Sequence, residues 1–107
     1  MTIDEIQDEH FSWAQHNFPD ADVTQAVLGV CEEAGELAHA HLKSLQNIRG
    51  TLSEHSLELQ DAIGDIVIYL LHICNLHGWS LDQIIDDTWR TVKKRDWIKF
   101  PEDGRTK

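Results

Sequence analysis

Hydrophobic residues recur along this chain at the three- and four-residue intervals of α-helices, and polar residues fill the positions between them. The pattern predicts four helices, at about 4–17, 23–45, 54–77 and 81–95. No segment alternates with a period of two for long enough to form a strand. Predicted apolar stripes include Val27 and Leu37 on the second helix and Ile63 and Leu70 on the third.

Helix-breaking and capping residues separate the four segments. Pro19 ends the first helix, because the residue before a proline is pushed out of the helical region. Asp20 or Asp22, Ser53 and Ser80 are the predicted N-terminal caps of the next three helices. The short connections favour antiparallel neighbours and predict an all-α, antiparallel four-helix bundle. Because the third helix is apolar nearly all round after Asp65, we expect bundles to associate through their helices.

The 107 residues have room for one domain, which we place at 1–107 with an irregular tail from about 97. The formal charge of -10 disfavours nucleic acid and anionic membranes as ligands. The distribution is uneven, because residues 90–107 carry seven basic side chains against three acidic ones. The tail is therefore a cationic segment on an acidic body.

The cysteines, the first residues and the apolar runs of the sequence indicate the cellular context. Cys31 and Cys74 each lie within an apolar helical pattern, which predicts two buried thiols rather than a disulfide framework. The first residues show neither a basic start nor an apolar core, and no apolar run reaches the length of a membrane span. We expect a soluble cytoplasmic protein.

Acidic residues form two sets within otherwise apolar helices, and these sets are the strongest functional signal. The members are Glu32, Glu33 and Glu36 on the second helix, and Glu58, Asp61 and Asp65 on the third. Spacings of three and four residues place most of each set on one side of a helix. A solvated helical face is the ordinary explanation for such acids, but no lysine or arginine is interleaved here. Carboxylates embedded in apolar sequence instead indicate a bound cation.

Oxygen-only ligands suit a hard divalent cation, so Mg²⁺ is the expected metal, with Mn²⁺ as the alternative. Mg²⁺ combines a few carboxylates with water and phosphate oxygens, which points to a phosphate-containing substrate. The phosphates also require cationic partners. The candidates are Lys43, which lies on the same side of its helix as Glu36, together with Arg49, Lys93, Lys94 and Arg95.

The two acidic segments, GVCEEAGELAHAHLK and ELQDAIGDIVIYLL, resemble those of the MazG-like nucleotide pyrophosphohydrolases. The family signature is EExxE followed by ExxD, which matches Glu32, Glu33 and Glu36 and then Glu58 and Asp61. Asp65 holds the acidic place before the apolar run IVIYLL. The family often has a glutamate three residues earlier, where this chain has Ala62, so Asp61 is the expected substitute.

The resemblance implies an all-α hydrolase that cleaves a nucleoside triphosphate to the monophosphate and pyrophosphate with Mg²⁺. It makes Glu33, Glu36, Asp61, Asp65 and Glu58 the expected metal ligands, and Glu32 and Glu33 the expected catalytic carboxylates. The expected substrate-binding residues are Lys43, Trp13, Gln25, Tyr69, Lys94 and Arg95. Phe18 is a further candidate for holding the base. The family also implies a homodimer or homotetramer.

Two other functions compete with this interpretation. A ferritin-like metal-binding bundle is suggested by Glu36 and His39, which form one Glu-x-x-His motif, although that architecture uses two. A helical interaction protein without catalytic activity is the other alternative, with acids that bind a basic partner. The seven histidines share no ligand spacing, and a packed or surface role is expected for each.

Overall fold

A computed structural model describes residues 1–105, and all regular secondary structure in that range is α-helical. The helices are α1 (Ile3–Asn17), α2 (Val23–Gln46), α3 (Leu52–His77) and α4 (Leu81–Val92). The predicted all-α class and the number of helices are confirmed. The fourth helix is three residues shorter than predicted.

Each helix begins at a side chain that accepts a hydrogen bond from the backbone three residues later. The four capping residues are Thr2, Asp22, Thr51 and Ser80. Asp22 and Ser80 were predicted, whereas the prediction of Ser53 was wrong, because Thr51 accepts from the Glu54 amide and starts the helix earlier. Gly78 ends α3 as expected, with the left-handed φ of 74° that glycine adopts without strain.

Helix α3 is the centre of the fold, because α1, α2 and α4 all pack against it. Helix α2 approaches α3 alone within 8 Å between α-carbons, while α1 and α4 also approach each other. The apolar core is small and consists of Leu71, Cys74 and Leu81, with Ile3 and Leu70 packed against it. This arrangement leaves α2 with one packed side, which faces α3.

Small side chains form the contact between α2 and α3. The buried residues are Ala26, Gly29 and Ala40 on α2, and Ala62 on the facing helix. The predicted stripes were wrong at Val27 and Ile63, which are 45% and 52% exposed, whereas Leu37 is half-buried and Leu70 packs against the core. Small residues allow the two backbones to approach closely, so the larger side chains lie to the sides of the contact and remain accessible.

A buried glutamine ties α1 to the junction between α3 and α4. Gln7 donates through Nε2 to Oδ1 of Asn75 at 2.9 Å and to the carbonyl oxygen of Trp79 at 2.7 Å. Its Oε1 accepts from the backbone amide of Leu81 at 3.0 Å. Each buried polar atom of this side chain therefore has a partner, which fixes where α4 begins relative to α1.

The C-terminal segment contains no helix or strand as far as residue 105, as predicted, but its backbone closes into a loop. The backbone amide of Asp96 donates to the carbonyl oxygen of Gly104 at 2.8 Å, which joins the two ends of the loop. The Asp96 carboxylate accepts from the amides of Ile98 and Lys99. Gly104 is buried with φ of 68°, and a Cβ there would lie 2.8 Å from the Trp97 indole.

The structure shows how exposed the two cysteines are and how apolar the helices are. Cys74 is buried and Cys31 is exposed, so the prediction of two buried thiols holds for one of them. Cys31 lies on the side of α2 that faces away from α3, where no other helix of residues 1–105 packs. Within residues 1–105, no helix has both the length and the apolar character that crossing a bilayer requires.

Candidate active site

A cleft lies where α1, the connection to α2, α2 and α3 come together. Its volume is about 760 Å³, which lies within the roughly 300–1,000 Å³ of small-molecule sites. Aromatic side chains and short polar ones form its walls, and carboxylates lie along one side. The lining includes Trp13, Phe18, Gln25, Glu33, Asp65 and Tyr69.

The two acidic segments meet at this cleft through Glu33 of α2 and Asp65 of α3. Glu33 is half-buried and lies on the same side of α2 as the small residues that contact α3. Burial raises the pKa of its carboxyl above the ordinary value, and the negative charges of Asp65, Glu32 and Glu36 raise it further. A cation placed among these carboxylates would relieve their mutual repulsion.

The remaining acids are more open than the sequence suggested. Glu36, Asp61 and Asp65 lie in apolar stretches of the sequence, but all three side chains are exposed in the described chain. Glu58 is exposed as well and lies 3.8 Å from Nδ1 of the buried His55, outside the cleft. Among residues 1–105, no three or more His, Cys, Asp or Glu side chains are arranged to hold a metal ion. The full ligand set therefore stays a prediction.

The expected substrate-binding residues Trp13, Gln25 and Tyr69 all line the cleft, as does Phe18. Trp13 and Phe18 contact each other edge to face, with ring centroids 5.7 Å apart. The Tyr69 ring lies against the backbone of Gly29, in the space that the side chain of any other residue at position 29 would occupy. The cleft therefore has flat aromatic surfaces on more than one side, close to the carboxylates.

Two histidines in the cleft were not predicted as site residues. His10 is buried beside Trp13 and 5.2 Å from His72, measured between ring centroids. The only available signal was the spacing of His10 and Trp13, which places both on one side of α1. His72 follows Tyr69 by three residues on α3. Sequence alone could not bring the two rings together, because they belong to different helices.

The hydrogen-bond network fixes the proton on His10. Nδ2 of Asn75 donates to the backbone carbonyl oxygen of Gln7, which can only accept, so this atom of the Asn75 amide is the nitrogen. The same Nδ2 lies 3.2 Å from Nδ1 of His10. Nδ1 must therefore accept, which leaves the proton on Nε2. Burial lowers the pKa of His10, and the neighbouring His72 lowers it further, so the ring is neutral at pH 7. A neutral imidazole N–H is thus available at the cleft wall.

The expected cationic residues lie elsewhere. Lys43 is near the end of α2, where its Nζ donates to Oε1 of Gln46 at 2.9 Å. Lys94 and Arg95 follow α4, and neither they nor Lys43 line the cleft. Within residues 1–105, the carboxylates of the cleft therefore face aromatic and polar groups but no lysine or arginine.

Comparisons with protein-family models, with curated proteins and with solved structures gave no match for this chain. The functional argument therefore depends on the cleft. Its arrangement suits a ligand with a flat ring for the aromatic walls and an anionic part that shares a cation with the carboxylates.

Proposed function

We propose that this protein is a MazG-like, Mg²⁺-dependent hydrolase that converts a nucleoside triphosphate to the monophosphate and pyrophosphate. The observation that carries the proposal is the position of Glu33 and Asp65 at one side of a cleft whose other walls are aromatic. A nucleotide has both matching parts, a flat base and a polyphosphate. A cytoplasmic location and antiparallel helix pairing belong to the same proposal.

The carboxylates fit a hard cation by their chemistry. Glu33 is held where burial and three neighbouring negative charges disfavour its ionised form, which is the environment that a bound cation reverses. Glu33 and Asp65 would hold Mg²⁺, or Mn²⁺ in its place, with Glu36, Asp61 and Glu58 as further candidate ligands. The ion would neutralise phosphate charge and lower the pKa of a bound water. Glu32, close enough to perturb Glu33, is the candidate base for that water.

The aromatic end of the cleft would hold the base. Trp13 and Tyr69 offer rings for stacking, and Gln25 offers both a donor and an acceptor for the base edge. His10 adds a donor, because its Nε2 carries the proton. This division predicts that substitutions at Trp13 raise KM, whereas substitutions at Glu33 lower kcat.

Assembly into a homodimer or homotetramer is part of the proposal. The exposed area of the chain is 8091 Å², whereas a compact monomer of this mass exposes about 6,100 Å². Its radius of gyration is 17.3 Å, compared with about 13 Å for a compact chain of this length. All four tryptophans are more than half exposed, and α3 and α4 form an apolar groove of about 490 Å³. Association would cover these surfaces.

The test is hydrolysis of a panel of ribo- and deoxyribonucleoside triphosphates with Mg²⁺, with pyrophosphate and orthophosphate measured separately. We expect pyrophosphate and the monophosphate in equal amounts. Glu33→Gln keeps the size of the side chain, and we expect kcat to fall by at least about a hundredfold, since removing a group that stabilises the transition state costs roughly 2.7–4 kcal/mol. Glu9→Gln on the exposed side of α1 is the matched control.

Release of orthophosphate, or full activity in Glu33→Gln or Glu36→Ala, would overturn the proposed reaction. Iron uptake with oxidase activity would instead favour the ferritin-like alternative. A protein that binds a basic partner and shows no metal-dependent hydrolysis would be an interaction module.

A further inference from the structure

A buried histidine near the start of α3 takes no part in the cleft. The side chain of His55 is 2% exposed, and its Nε2 lies 2.9 Å from the backbone carbonyl oxygen of Ile48. A carbonyl oxygen can only accept a hydrogen bond, so Nε2 carries a proton. In the neutral imidazole the lone pair is then on Nδ1, at the other side of the ring. The contact with Ile48 therefore fixes both the orientation and the tautomer of this ring.

Nδ1 of His55 is buried and has no hydrogen-bond partner within residues 1–105. Oε2 of Glu58, three residues later on α3, lies 3.8 Å from it. That separation is too long for an N–H···O hydrogen bond, which spans about 2.7–3.2 Å. Because buried polar atoms in proteins nearly always have a partner, the two atoms call for a group that lies between them.

The distance between these two atoms suits two ligands of one metal ion. Zn²⁺ binds imidazole nitrogen and carboxylate oxygen at about 2.0–2.2 Å, so two such ligands at a tetrahedral angle are about 3.4 Å apart. Glu58 is 56% exposed, and rotation of its side chain can close the difference of about 0.4 Å. Metal-bound histidines almost always donate their other ring N–H to a carbonyl or carboxylate oxygen, as His55 does to Ile48.

We propose that Nδ1 of His55 and the Glu58 carboxylate bind a divalent transition-metal ion of the Zn²⁺ class, at a site separate from the cleft. An imidazole nitrogen suits Zn²⁺, Cu²⁺ or Ni²⁺ rather than Mg²⁺, so this site and the cleft select different ions. Neither residue lines the cleft, and the binding of the ion does not depend on the proposed reaction. Glu58 is thereby assigned to this site and not to the Mg²⁺ ion of the cleft.

The ion keeps water in its remaining coordination positions, because no third His, Cys, Asp or Glu of residues 1–105 joins the pair. Binding is therefore reversible and weaker than at a structural site that is closed by four protein ligands. Glu58 is the solvent-exposed member of the pair, so the ion reaches the buried nitrogen along its side chain.

The ion also strengthens the connection between α2 and α3. Ile48 lies in this connection, where Asn47, Arg49 and Gly50 have positive φ angles of 54°, 58° and 131°. Such angles are uncommon for residues other than glycine, so the connection needs contacts that hold it. A metal ion on Nδ1 fixes the His55 ring, which holds the Ile48 carbonyl. We expect backbone amides of the connection to exchange their hydrogens more slowly when Zn²⁺ is bound.

Calorimetric titration with Zn²⁺ in excess Mg²⁺ tests the site. Glu58→Gln keeps the size of an exposed side chain, so the fold should be retained. We expect this variant to bind Zn²⁺ at least about tenfold more weakly than wild type, since loss of a group that only orients a metal ligand already costs about 10–100-fold in affinity. Glu9→Gln removes the same charge from an exposed position of α1 and should bind Zn²⁺ as wild type does. Glu33→Gln, in the cleft, should also retain the Zn²⁺ affinity.

Long-range ¹H–¹⁵N correlation spectra of the histidine rings identify the binding atom. The His55 signals are assigned through bonds from the backbone, so no variant at this buried position is needed. We expect Zn²⁺ to shift the Nδ1 signal in wild type but not in Glu58→Gln, while Nε2 keeps its proton. Equal Zn²⁺ affinity in wild type and Glu58→Gln, loss of the affinity in Glu33→Gln, or an unchanged Nδ1 signal at saturating Zn²⁺ would overturn the inference. A protein that shows the expected shift but hydrolyses no nucleotide would count against the proposed reaction alone.

Discussion

Replacement of Gly29 by alanine tests whether the wall of the cleft is built as described. A Cβ at position 29 would lie 2.5 Å from Cδ1 and Cζ of Tyr69, and closer still to Cε1. Carbon atoms pack at about 3.5–4.0 Å, so the ring would have to move by about 1 Å or more. Overpacking of this kind typically costs about 1–3 kcal/mol.

Alanine also has a favourable effect, because it is a better helix former than glycine by about 1 kcal/mol in a helix interior. Gly35 on the same helix has no atom within 4 Å of the corresponding Cβ, so Gly35→Ala should show the helix effect alone. We expect Gly35→Ala to raise the free energy of unfolding by about 1 kcal/mol, and Gly29→Ala to leave it unchanged or lower it by up to about 2 kcal/mol.

Chemical denaturation of both variants measures the difference, which should be about 1–3 kcal/mol. Thermal unfolding gives a second measure, since 1 kcal/mol shifts Tm by roughly 4–8 °C for a domain of about this size. Because Tyr69 lines the cleft, Gly29→Ala should also raise KM for the substrate. Equal stability of the two variants would refute the close contact between Gly29 and Tyr69.

Three further predictions concern buried and charged groups. Gln7→Leu leaves the Trp79 carbonyl, the Leu81 amide and Oδ1 of Asn75 without the partner that Gln7 supplies, so we expect a loss of at least about 2 kcal/mol by urea denaturation, whereas exposed Gln15→Leu should change little. Glu33 has a raised pKa in the folded chain, so its stabilising contribution is present at low pH and lost as the pH rises through that pKa. Glu33→Gln should therefore be more stable than wild type at pH 7 without Mg²⁺, and the gain should disappear below pH 4.5, the ordinary value for Glu. His10 has a lowered pKa, so its contribution is present above pH 6.5 and lost as the pH falls through the folded value. The decrease in stability between pH 7 and pH 5 should be smaller in His10→Gln, and an unchanged pH profile would contradict the buried neutral imidazole.

The sequence by itself determined the four helices, most of their ends and the positions of the acids along them. Local interactions fix these features. Asp22 and Ser80 accept bonds from amides three residues later, and Gly78 adopts a left-handed conformation that other residues avoid. The prediction of Ser53 as the cap of α3 was wrong. Thr51 has a side-chain hydroxyl that can accept the same hydrogen bond two residues earlier, and residue type alone does not distinguish the two.

Only the tertiary structure decided which helical sides are packed and which residues share the cleft. Hydrophobicity favoured Val27 and Ile63 as buried residues, but the close approach of α2 and α3 selects small side chains and leaves these two exposed. The pairing of Glu33 with Asp65, and of His10 with His72, joins residues on different helices, which periodicity within one helix cannot relate. The position of Lys93–Arg95 away from α2 likewise depends on how α4 packs, because the order of residues along a chain does not fix the distance between its helices.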